Sequence, residues 1–157
     1  MKALVGSIIL LTGGFLFSGC FNVGSAEFPE PVANFQPRKT YGVSVDDLWK
    51  AVNAALQGQR ISVASGSKAD GRMTTDYIQG PTQLNLVPGM PTLTTRYRYN
   101  ITVQSIGQSQ SSLTIFCTLE SSSEAVAWHD VSKDNAERVT SLEYWLYEKI
   151  EKSLSAS

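Results

Sequence analysis

Thr94-Thr-Arg-Tyr-Arg-Tyr-Asn-Ile-Thr-Val-Gln-Ser-Ile106, followed by Ser111-Ser-Leu-Thr-Ile-Phe-Cys-Thr-Leu-Glu120, alternates in side-chain character along both segments. Tyr97, Tyr99, Ile101 and Val103 fall on one face of the first segment, and Arg96, Arg98, Asn100, Thr102 and Gln104 on the other. A period of two is that of a strand with one dry and one wet face. Gly107 to Ser109 turns the chain between the segments, so the two are expected to pair as an antiparallel hairpin at the centre of a sheet. In the returning segment Cys117 shares a face with Leu113, Ile115 and Leu119, which reads as a small buried hydrophobe. The arginines and tyrosines of the first segment lie on opposite faces, as a wet face and a core face require. A single-strand binder would need its aromatics exposed for stacking.

Working outward from the hairpin, Arg38 to Val43 reads as a short strand. Ser44 then caps a helix with Asp46 and Asp47 in its first turn, where acids favour the positive end of the dipole. Val45, Leu48, Trp49, Val52, Ala55 and Leu56 make one apolar stripe, predicting a helix over Val45 to Gln57 with Gly58 as its left-handed stop. Ile61 and Val63, a turn from Ser65 to Gly71, and an extended run from Arg72 to Gln79 predict a second hairpin whose last strand is an edge. Gly80 to Pro91, with Pro81, Pro88, Gly89 and Pro91, reads as a long loop; Leu84, Leu86, Val87 and Met90 are its candidate partner-contact residues. Beyond Ser121 to Ser123 the chain passes Val126 and Trp128 and enters a helix near Asp134, with Val139, Leu142, Trp145 or Leu146, and Ile150 as its stripe. The expected fold is α+β: an antiparallel sheet of about five strands with two helices on one face, in the order β-α-β-β-β-β-α. Trp49 and Trp145, with Trp128, are candidates to line a cavity between helices and sheet.

The chain has 157 residues, of which 42% are hydrophobic, enough for one core, so residues 38–157 are read as a single domain. Lysine and arginine number 13 against 14 acids, a formal net charge of −1, which gives the chain as a whole no claim on nucleic acid.

The first residues, MKALVGSIILLTGGFLFSGC, carry one positive charge at Lys2, then an apolar run interrupted by Gly13 and Gly14 that ends in small residues before Cys20. That is the layout of a cleaved export signal over residues 1–19. Leu16-Phe-Ser-Gly-Cys20 resembles the lipobox of bacterial lipoproteins, which implies a lipid anchor on Cys20. Phe21, where an Asp would resemble an inner-membrane retention signal, points to the outer membrane. Residues 20–37 contain Gly24, Pro29, Pro31 and Pro37 without periodicity, and read as a tether able to reach several tens of ångströms at roughly 3 Å per residue.

Catalytic material is sparse. His129 is the sole imidazole, and its neighbour Asp130 points away from it in an extended chain. A thiol and base pair of Cys117 and His129 depends on the fold bringing them together. There is no cluster with metal-ligand spacing, no phosphate loop and no nucleophile elbow, so neither an enzyme nor a cofactor is expected.

The order of elements is similar to the helix-grip domains of the BamC (NlpB) lipoproteins of the outer-membrane β-barrel assembly machinery. Val45-Asp-Asp-Leu48-Trp49-Lys-Ala51-Val52 with Leu56 resembles that family's first helix, Asp70-Gly71-Arg-Met73-Thr-Thr75 its following turn, and Arg96-Tyr97-Arg98-Tyr99 the start of its central strand. The resemblance covers Arg38 to Leu154 and implies a non-enzymatic, membrane-anchored module with an envelope protein as partner. The alternative expectation is a carrier holding a small apolar ligand or lipid between helices and sheet.

Overall fold

The computed structural model describes residues 28–30, 32, 35–83, 92–123 and 126–156. Cys20 and the loop residues Leu84, Leu86, Val87 and Met90 lie outside the described residues. In chain order the elements are β1 (Arg38–Tyr41), α1 (Val45–Gly58), β2 (Val63–Ser67), β3 (Arg72–Thr75), β4 (Ile78–Gln83), β5 (Leu93–Gly107), β6 (Gln110–Ser123), β7 (Val126–Asp130) and α2 (Ala136–Ser155). The alternating segments form the expected central hairpin, with Tyr99 opposite Cys117 and Ile101 opposite Ile115.

The α+β class and antiparallel sheet hold, but the described residues form seven strands, not five. Both additions come from strands that break a simple pattern. The run from Arg72 to Gln79 is not one edge strand: it jogs at Asp76–Tyr77, so β3 and β4 pair consecutively with β5. β3 lies between β5 and β2, and β2 is the edge. β4 continues through Gly80 and Pro81, which read as loop, because its register shifts between Gln79 and Thr82. A bulge tolerates the missing proline N–H. There Thr95 Oγ1 donates to the Pro81 carbonyl at 2.7 Å, and a Cβ at Gly80 would stand 2.5 Å from that same oxygen. β7 was hidden because all its residues are exposed, so it lacks a dry face.

Helix α1 starts as expected, with the Asp47 N–H donating to Ser44 Oγ at 3.1 Å. Its end differs. Gly58 is the last helical residue, and the left-handed position is taken by Arg60 at φ 57°. The Ile61 N–H reaches back to the Leu56 carbonyl at 2.9 Å, so the stop is set by the orphan carbonyls of the last turn.

Both helices cover the same face of the sheet. Leu48, Val52 and Leu56 of α1 and Leu142, Leu146, Tyr147 and Ile150 of α2 meet Tyr99, Ile101, Val103, Leu113 and Ile115 in one buried cluster. Each large side chain fully removed from water contributes about 1.5–3 kcal/mol. Two buried tyrosines also need polar partners. The Tyr99 hydroxyl donates to the Leu142 carbonyl at 3.1 Å, and that of Tyr147 shares its hydrogen between Pro37 and Leu113 carbonyls at 2.7 and 2.8 Å. Among the described residues no helix is long and apolar enough to cross a membrane.

The outer edge of β6 pairs with β1 near one end and β7 near the other, leaving a gap between them. Along the gap the Ile115 N–H donates to the Pro37 carbonyl, the Cys117 N–H to Glu143 Oε1 at 2.8 Å, and the Leu119 N–H to Ser132 Oγ at 2.9 Å. Glu143 is 6% exposed, and burial raises its carboxyl pKa against the opposing pull of the Cys117 N–H. A raised folded-state value means this contribution is complete below the unfolded value of about 4.3 and is lost as pH rises through the folded one.

Glu143→Gln keeps an acceptor for Cys117 and removes the ionisation. It is expected to match the parent in acid and exceed it in stability at neutral pH, while Glu143→Leu strands a buried N–H at a cost of about 1–3 kcal/mol. Urea denaturation at both pH values measures this. A second prediction concerns Gly71, which has φ +63° and whose carbonyl accepts from the Val103 N–H at 2.7 Å. A Cβ there would run into the Val103 carbonyl oxygen. Gly71→Ala is expected to cost roughly 2–4 kcal/mol in the same assay.

Candidate functional site

With both helices on one side, the opposite face of the sheet stays open, and directly opposed residues show what lies on it. Arg96 faces Glu120, Arg98 faces Thr118 and Asn100 faces Phe116 across β5 and β6. Arg72 of β3 faces Thr102, Arg38 of β1 faces Thr114, and Asp130 of β7 faces Glu120, all in the same phase.

Arg96 is the organising side chain. Its guanidinium carbon lies 3.9 Å from the Tyr77 ring centroid and 4.1 Å from that of Trp128, so two aromatic rings contact it. Its Nε and Nη2 both reach Glu120 Oε2, at 2.7 and 2.6 Å, while the Tyr77 hydroxyl donates to Oε1 at 2.7 Å. Burial pushes the Glu120 carboxyl up, but the Tyr77 hydroxyl, Arg96 and Arg98 together hold it below the usual glutamate range. The bond to Glu120 in turn raises the Tyr77 phenol. Arg98 sits 4.9 Å from the Tyr77 centroid and forms no ion pair among the described residues. Its Nε is buried without a hydrogen-bond partner. Around the cluster Tyr77, Trp128 and Phe116 are exposed at 38%, 37% and 55%, large apolar areas on a face otherwise made of polar and charged side chains. The cluster offers a cationic and aromatic surface whose carboxylate, Glu120, is tied to Arg96 and Tyr77.

Tyr77, Phe116 and Glu120 did not stand out in the sequence, although Phe116 gave a signal; Trp128 stood out only as a possible cavity wall. It is the large apolar residue in the polar phase of β6, between Thr114 and Thr118. The tyrosines of β5 turn inward as expected, while the arginines stack on rings supplied by other strands.

The other expected sites fall apart or remain outside. Trp145 lines a cleft of ≈ 150 Å³ with Phe28, Pro29, Gly80, Tyr97 and Leu142, and Trp49 is not among its walls. Small-molecule sites usually enclose about 300–1,000 Å³. Cys117 is buried beneath α2 with its thiol pKa raised by burial and by Glu143, while His129 is exposed on β7 with Nδ1 near the Ala127 carbonyl at 3.2 Å. No hydrogen bond joins the two. Among the described residues no group of His, Cys, Asp and Glu is placed to hold a metal. The described part of the tether lies on α2, with the Phe28 ring 5.3 Å from the Arg138 guanidinium and Phe35 edge-on to Tyr144 and Tyr147 at 5.8 and 5.3 Å.

Because Glu120 is held below its unfolded value, its contribution is present above about pH 4.3 and is lost as pH falls through the folded value. A carboxyl ¹³C titration is expected to place Glu120 below ordinary glutamates, and Arg96→Met to move it upward. A parent midpoint at or above the ordinary value contradicts the cluster.

No family model matches the sequence, and no curated protein matches it. A solved structure of a DUF4468 family protein from Bacteroides ovatus is similar to this chain at 11% identity and a TM-score of 0.44, over 86% of this chain and 93% of that one.

Proposed function

We infer that the chain is a lipid-anchored, non-enzymatic module of the bacterial envelope that binds a protein partner. The anchor rests on the pattern from Met1 to Cys20. The observation that supports the binding role is the open face, where Tyr77, Phe116 and Trp128 stay exposed around an ordered Arg96–Glu120 pair. Contiguous exposed apolar groups with a central arginine and aromatics are the composition of interaction surfaces. The tether serves this role by holding the domain near the bilayer. Its described residues Phe28 and Phe35 pack on α2.

The outer-membrane address and kinship with barrel-assembly lipoproteins belong to the same proposal. The carrier alternative is favoured by the cleft beside Trp145, whose ≈ 150 Å³ suits a single small group better than an acyl chain.

The test places a photo-crosslinking residue at position 116 or 128 of the full chain in intact envelopes, with position 53 on α1 as control. A discrete protein adduct from the open-face positions alone is expected, together with transfer of the chain from the membrane to the soluble fraction in Cys20→Ala. Adducts equal at all positions, or none, overturn the binding role; a Cys20→Ala chain that stays with the membrane overturns the anchor.

A further inference from the structure

Charge is segregated across this fold. Within the strands the acids are Glu120 and Asp130, against Arg38, Lys39, Arg72, Arg96 and Arg98, and Lys39 turns to the helix side to meet Glu151 at 2.9 Å. The helices carry Asp46, Asp47, Glu137, Glu143, Glu148 and Glu151, which outnumber their cations. A chain of formal net charge −1 thus presents an open sheet face that is net positive among its described strand residues, with arginine as their only cation type there. Glu120 already occupies Arg96, and Asp130 Oδ1 accepts from the Ser132 N–H at 2.8 Å. Among the described residues Arg98 forms no ion pair, and it lies between the Arg96 cluster and exposed Phe116.

We propose that this face docks an acidic, extended peptide segment of the partner, with a carboxylate on Arg98 and an apolar neighbour on Phe116. The proposal rests on the protein-binding reading above and gives that partner its chemistry. The spacing supports an extended chain: Arg96 and Arg98, and Phe116, Thr118 and Glu120, each repeat at about 7 Å along their strands, the same repeat at which alternate side chains of an extended peptide project. Arginine favours this role because its planar fork pairs with carboxylates and lies flat against aromatics.

Other anionic partners fit less well. Single-stranded nucleic acid stacks its bases on free ring faces, whereas the rings of Tyr77 and Trp128 each have the Arg96 guanidinium against them. An anionic bilayer attracts flexible, projecting basic side chains. Here the face has no lysine, and Arg96, 27% exposed, is packed between rings.

The experiment uses the full chain in detergent micelles and a dye-labelled, end-blocked peptide of alternating Glu and Val, read by fluorescence anisotropy, with the Gln–Val peptide as control. Saturable binding of the Glu peptide alone is expected, weakening several-fold when salt rises from about 50 to 300 mM, since the contact is screened. Arg98→Gln should weaken it at least tenfold and Arg98→Glu further, with melting temperatures unchanged. Thr118→Glu, which sets an internal carboxylate opposite Arg98, should weaken it similarly and serves if the Arg98 variants do not fold. Lys50→Gln on α1 should leave binding unchanged. Equal binding of both peptides, no binding, or affinity untouched by Arg98 and Thr118 changes overturns the proposal. So does Arg98-dependent preference for phosphatidylglycerol vesicles or oligo-dT over the peptide. If the envelope adduct persists in Arg98→Gln while the peptide fails, the acidic-segment assignment falls and the protein-binding reading stands; if the parent gives no adduct, that reading falls by itself.

Discussion

The long β5–β6 hairpin sets the central constraint, because pairing two strands of 15 and 14 residues with each other leaves each with an outer edge of unpaired backbone groups. Neither edge is met by one strand of matching length. β3 and β4 share the edge of β5, and β1 and β7 share that of β6. Each pair leaves a break, and side chains fill it. At the β5 break the Tyr99 N–H donates to Thr75 Oγ1 at 3.0 Å, and at the β6 break Glu143 and Ser132 accept from Cys117 and Leu119. The buried Thr75 and Glu143 are thereby explained, because apolar side chains at either place would leave an N–H without a partner.

That arrangement also decides which face can bind. Filling the β6 gap requires α2 to lie close enough for Glu143 to reach the strand, and Tyr147 binds carbonyls of Pro37 and Leu113 from the same helix. The helix layer is thereby committed to one side. The other side has to be stable in water without a covering layer, and the Arg96 cluster shows how: rings that would otherwise be bare rest on guanidinium groups, whose charge is met by Glu120. Tyr77 comes from the jog between β3 and β4 and Trp128 from β7, so the segments that close the two edges also supply the walls of the cluster.

What was legible in the sequence is what obeys one period at a time. The β5 and β6 alternation, the α1 stripe with its Ser44 cap, and the inward turn of Cys117 follow from local pattern and burial. The jog at Asp76–Tyr77 and the bulge at Gly80–Pro81 break that period, and both are held by contacts to residues well ahead in the chain, Tyr99 and Thr95. A local reading therefore merged β3 with part of β4 and assigned the rest to a loop. β7 was missed for a different reason: Trp128 is oriented by Arg96, a contact that leaves no dry and wet alternation behind it. Trp145 lines a cleft with Tyr97 and Leu142, and shared membership of apolar stripes says nothing about whether Trp49 meets the same space.

The N-terminal segment adds one more consequence of the helix layer. Phe28 and Phe35 pack against Arg138, Tyr144 and Tyr147 of α2, so the chain reaches the domain along the layer that covers the core. Lys39 strengthens the join, with its ammonium 5.1 Å from the Tyr147 centroid and paired with Glu151. Aromatic contacts of this kind contribute about 0.5–1.5 kcal/mol each beyond their buried area, enough collectively to hold a short segment in place. A chain entering over the sheet instead would have covered the arginines. By running along α2 it uses apolar surface that needs cover anyway, and the described part of the entry segment leaves the arginine face, with Arg98, open on the far side of the sheet.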